Sequence, residues 1–96
     1  MSIVIVGGNE CMERQYKDIC KNYGCRAKIF AKYNSRLNEQ IGNPDLMILF
    51  TATVSHKMVR IALTEAKRAK SIVARSHSSS ANALHKILDE YCVALE

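Results

Sequence analysis

The chain is predicted to be an α/β domain: a small four-stranded parallel sheet in the flavodoxin-like or Rossmann-like order 2-1-3-4, with helices on both faces. Three observations predict it. Short apolar runs rich in β-branched residues alternate with segments of helical periodicity, which is the pattern of successive β-α units. Two of the runs are apolar throughout and two carry charges, which separates central strands from edges. Glycine, asparagine and serine punctuate the switches between them.

The first run, Ile3-Val4-Ile5-Val6, is β-branched and stops at Gly7-Gly8, as a strand buried on both faces does. Met12, Tyr16, Ile19, Cys20 and Tyr23 then recur at helical spacing, with Asn9 as N-cap and Gly24 as the stop. Residues 26–32 set Ala27, Ile29 and Ala31 against Lys28, Phe30 and Lys32, so this second strand has a wetter face and lies at an edge. Residues 35–41 allow a short helix or turn with Leu37 and Ile41 inward, ended by Gly42-Asn43-Pro44. Leu46-Met47-Ile48-Leu49-Phe50 is apolar throughout and reads as a central strand.

From Ser55 as N-cap, Met58, Val59, Ala62, Ala66 and Ala69 build the next helix, and residues 71–75 form a short fourth strand. Leu84, Ile87, Leu88, Tyr91, Cys92 and Leu95 line a last helix. At 96 residues this is one domain. A four-stranded sheet leaves exposed edges and thin coverage, so the expected assembly is a homodimer, with exchange of an element between chains as one way to build it.

Composition narrows the partners. Fourteen Lys and Arg against nine Asp and Glu give a formal charge of +5, which favours an anionic small molecule. The basic residues cluster at Arg26, Lys28, Lys32 and Arg36 and again at Lys67, Arg68 and Lys70, but the aromatic residues do not interleave with them as stacking platforms. Nucleic acid is therefore disfavoured against solvated basic faces. No uninterrupted apolar run approaches a membrane span, and the first strand starts at once, so the expectation is a cytoplasmic protein without a membrane partner.

Cys11, Cys20, Cys25 and Cys92 include no C-x2-C pair and no neighbouring histidine spaced as a metal knuckle. Reduced, mostly buried thiols are expected. Cys11 falls in the first turn of the first helix, where the dipole favours thiolate, and is the one thiol whose reactivity the sequence singles out.

In a parallel sheet of this order, ligands bind outside the carboxyl ends of the strands at the switch point between strands one and three. Gly7, Gly8 and Asn9 follow strand one, Thr51, Thr53, Ser55 and His56 follow strand three, and Ser78 and Ser80 follow strand four; these nine residues are the candidate ligand-binding set. Gly7-Gly8 permits close backbone approach, but G-x-G-x-x-G and a Walker lysine are both absent and Glu10 would repel a phosphate, so a tight turn explains the glycines better than a dinucleotide site.

His56 takes the first helical position, where the positive end of the helix favours a neutral imidazole able to ligate a metal or haem iron or act as a base. One of Ser78, Ser79 and Ser80 must cap the last helix, beside Arg75 and His77. His85 falls on the polar side of that helix and reads as a surface residue. No carboxylate pair, nucleophile elbow or Ser-His-Asp spacing supports hydrolysis, so a binding domain is favoured over an enzyme and no catalytic residue is assigned.

With Gly7-Gly8 after the first strand, Tyr16 in the first helix, Ser55-His56 after the third strand and serines before the last helix, the chain resembles the bacterial domain of unknown function numbered 2325. The resemblance covers nearly the whole length and implies a small α/β domain without an established enzymatic activity. It also implies haem binding and element-swapped dimers, with His56 as the axial ligand of the haem iron. Two other classes remain open on the residues: a phospho-anion or nucleotide-binding regulatory module, and a phosphotransfer carrier using Cys11 or His56.

Overall fold

The computed structural model describes residues 1–92. Strand β1 (Ser2–Gly7) leads through a 3-10 turn (Glu10–Met12) into helix α1 (Glu13–Asn22), followed by β2 (Arg26–Phe30), α2 (Leu37–Ile41) and β3 (Leu46–Phe50). A second 3-10 turn (Thr51–Thr53) precedes α3 (His56–Ala69), then β4 (Ile72–Ser76) and α4 (Ala81–Tyr91). Among the described residues the sheet has four parallel strands in the order β2-β1-β3-β4.

Hydropathy sets that order. In β3 all five residues are buried and in β1 all but the first, because each has a strand on both sides and a helix on both faces. One face of the sheet packs Ile3, Ile5, Leu46, Ile48 and Phe50 against Tyr16, Ile19 and Cys20 of α1 and Leu84, Ile87 and Leu88 of α4. The other packs Val4, Val6, Met47 and Leu49 against Leu37 and Ile41 of α2 and Met58, Ala62 and Ala66 of α3. The alternation along β1 and β3 thus divides one apolar run between two cores.

Boundaries differ from the sequence reading in three places. β2 ends at Phe30 rather than 32, since Phe30 pairs with Val6 and the next β1 residue is the first of two glycines at positive φ. Residues 35–41 form a turn followed by the short helix from Leu37, with Leu37 and Ile41 inward as expected. β4 spans Ile72–Ser76 rather than 71–75, because its ladder pairs Phe50 with Ser76, while the Ser71 amide donates to Ala66 O at the end of α3. Asn9 caps the 3-10 turn rather than α1 itself, and Cys11 lies in that turn, exposed. Leu95 lies outside the described residues. No helix among the described residues is long and apolar enough to cross a membrane.

Candidate functional site

Three connections meet at the carboxyl edge of the sheet, and the sequence shapes each through backbone chemistry. Gly7 and Gly8 both sit at φ 93°, a conformation that side chains disfavour. A Cβ on Gly7 would stand 2.9 Å from the Phe50 carbonyl oxygen and 3.2 Å from Val54 Cβ, and one on Gly8 would stand 2.9 Å from Tyr16 Cε2. The glycines therefore let the β1 loop press directly onto the β3 loop and onto the Tyr16 ring.

Hydrogen bonds then fix that approach. The Gly8 amide donates to Thr53 Oγ1 at 2.7 Å, and the Thr53 hydroxyl donates to the Phe50 carbonyl at 3.2 Å. The buried Tyr16 ring lies 5.5 Å from that of Phe50 at an interplanar angle of 40°, a favourable tilted aromatic pair. Its hydroxyl donates to Ser79 O at 2.6 Å and accepts the Asn9 amide at 3.2 Å, which joins the β1 loop to the β4 loop. The Asn9 side chain accepts the Cys11 amide at 2.9 Å.

The serine loop is organised internally. Thr51 Oγ1 donates to Ser76 O at 3.4 Å, and Ser76 Oγ donates to Ser78 O at 2.7 Å. Ser78 Oγ donates to Ser80 Oγ at 3.1 Å and accepts the Ser80 amide at 3.2 Å. Ser80 Oγ accepts the Ala83 amide at 3.1 Å, so Ser80 is the cap of α4 and Ser78 shapes the turn before it.

His56 is the first residue of α3, after Ser55, whose hydroxyl accepts the Met58 amide at 3.2 Å. Its imidazole is exposed and makes no hydrogen bond or ion pair with any described residue. Beside it in sequence, Lys57 Nζ stands 4.3 Å from the centroid of the Tyr33 ring, a cation-π contact. Lys32 pairs with Glu10 at 3.2 Å on the same edge. Arg75 and His77 are exposed near the serine loop. Among the described residues no group of three His, Cys, Asp or Glu is placed to hold a metal ion.

Of the nine predicted residues, Gly7 and Gly8 are buried, and Gly7, Gly8 and Thr53 meet directly. Thr51 reaches the end of β4, while Ser78 and Ser80 bond to one another. His56 joins neither group through a hydrogen bond.

The sequence reading missed the Tyr16 hydroxyl, whose two bonds span distant loops and leave no periodic trace. It also placed His85 at the surface, and the structure corrects this: His85 is half-buried, with its ring 6.1 Å from that of Tyr23 and its Nδ1 3.4 Å from the Tyr23 oxygen. The Tyr23 hydroxyl donates to Asp89 Oδ1 at 2.5 Å, which, with partial burial, pushes its pKa up to about 12. The spacing of His85 and Asp89, four residues apart on one helix, was the available signal.

The sheet order, the glycine switch and the capped helix starts define a small doubly wound α/β domain. The chain belongs to the family described as "Uncharacterized protein conserved in bacteria (DUF2325)", whose model matches residues 2–91. Comparison with curated proteins and with solved structures gives no match to the chain.

Proposed function

We propose that this is a non-enzymatic small-ligand-binding domain whose ligand is haem, held at the carboxyl edge of the sheet with His56 as axial ligand. The observation that carries the reading is the exposed His56 imidazole beside the switch point, with no protein partner for either ring nitrogen among the described residues. Without an acid or nucleophile bonded to it, the ring suits ligation better than general base catalysis.

The residues of this edge fit the group in part. His56 supplies the donor, and Lys57, Arg75 and His77 supply positively charged or donor groups for two carboxylates. Apolar wall is scarcer: one chain offers half-buried Val54 and the Tyr33 ring, which is 42% exposed. A homodimer closing over this edge, with or without exchange of an element, would supply the rest. When bound, haem provides an iron centre open to a second ligand, which suits sensing, storage or transfer.

Titration of the purified chain with haem should give a Soret band that His56→Ala abolishes or shifts, with sedimentation reporting a dimer in the loaded state. An unchanged spectrum in a folded His56→Ala variant would remove His56 as the ligand.

A second reading is favoured by the serine caps. Ser55 and Ser80 accept helix amides yet donate their own hydroxyl protons to no described residue, at helix N-termini that attract anions. A phospho-anion module would show thermal stabilisation by inorganic phosphate or nucleotides, lost at high salt, and no Soret band.

A further inference from the structure

At the amino edge of the sheet, opposite the candidate ligand edge, three thiols gather. Cys25 closes the turn from α1 into β2, Cys92 is the C-cap of α4, and Cys20 lies on the buried side of α1. Cys25 Sγ and Cys92 Sγ are 3.5 Å apart, in contact across 67 positions of sequence. The two residues are 8% and 7% exposed and their sulfur contact is buried, whereas Cys20 has no exposed surface at all. Burial, and then the neighbouring Cys25 and Cys92, push the Cys20 pKa up to about 12, which keeps that thiol protonated.

We infer that Cys25 and Cys92 are a redox modification site: a dithiol that a small hydroperoxide converts to an intrachain disulfide. One thiolate attacks a peroxide oxygen, the O–O bond breaks, and a sulfenic acid forms as hydroxide leaves. The second thiol displaces hydroxide from the sulfenic sulfur, forming the S–S bond. In sum two thiols and one hydrogen peroxide give one disulfide and two waters, with two electrons passing from sulfur to oxygen. A disulfide needs the sulfurs about 1.5 Å closer than they stand. Both residues lie at element ends, where side-chain rotation and a small backbone shift supply that movement. The bond would tie the end of α4 to the α1–β2 turn and close most of the chain into one loop.

The test uses the full chain carrying Cys11→Ser, which removes the exposed thiol without touching the core. After hydrogen peroxide, thiols are alkylated under denaturing conditions and the chain is digested without reductant. Cleavage after Lys21, Arg26 and Lys86 puts Cys20, Cys25 and Cys92 on three separate peptides. The expected result is a Cys25–Cys92 peptide pair lighter by two hydrogens, alkylation at Cys20 alone, and a melting temperature raised by more than about 5 °C, reversed by a dithiol reductant. A link through Cys20, a link between chains, sulfinic acid without a link, or three alkylated thiols would each overturn the assignment.

Discussion

At the scale of single residues, Tyr16 holds more of the carboxyl edge together than any candidate named from the sequence. Its ring fills the space that Gly8 leaves, and its hydroxyl serves the amide of one loop and the carbonyl of another. Tyr16→Phe keeps the ring and deletes both hydrogen bonds, so it should lower stability by about 1–3 kcal/mol in urea unfolding while leaving the far-ultraviolet spectrum unchanged. The sequence announces the ring through helical spacing but not the hydroxyl, because a hydrogen bond across 63 positions has no local signature. His56 was legible for the opposite reason: its place depends only on where a strand stops and a capped helix starts.

At the scale of elements, punctuation residues carried most of the reading. β3 and α3 begin where the apolar run and the Ser55 cap place them, and Ser80 resolves the choice among three serines by bonding the Ala83 amide. α3 ends at Ala69, the last residue of its apolar pattern, and its left-handed cap is Lys70 at φ 58°, the only non-glycine residue among those described with positive φ. A lysine there strains the backbone where glycine would relax it. Lys70→Gly is therefore expected to stabilise the chain by about 0.5–1 kcal/mol, against the usual cost of introducing glycine, as a shift of the unfolding midpoint would show. The edge of β2 was overextended in sequence because alternation continues past Phe30, although its partner strand has turned away into glycine.

At the scale of the whole molecule, strand hydropathy made the sheet order legible, since a strand apolar on both faces must be central. Alkaline stability belongs to this scale as well. The Tyr23 pKa is raised from 10.0 to about 12, mainly by the hydrogen bond to Asp89, and that of Cys20 from 9.0 to about 12, mainly by burial. Both groups keep their protons in the folded chain at a pH where the unfolded chain has released them, so the folded state binds more protons there and loses stability as pH rises. Their contribution is complete below about pH 9 and declines between about pH 9 and 12. Urea midpoints measured across that window should fall, and Tyr23→Phe should flatten the part of the decline above pH 10.

The braces from Gly8 to Thr53 and from Tyr16 to Ser79 give the carboxyl edge a kinetic character. Because all three loops are already fastened to one another, a molecule landing there has little backbone left to immobilise, and its shape must match a surface that does not remould around it. Discrimination between ligands would then reside in how long each stays rather than in how fast each arrives.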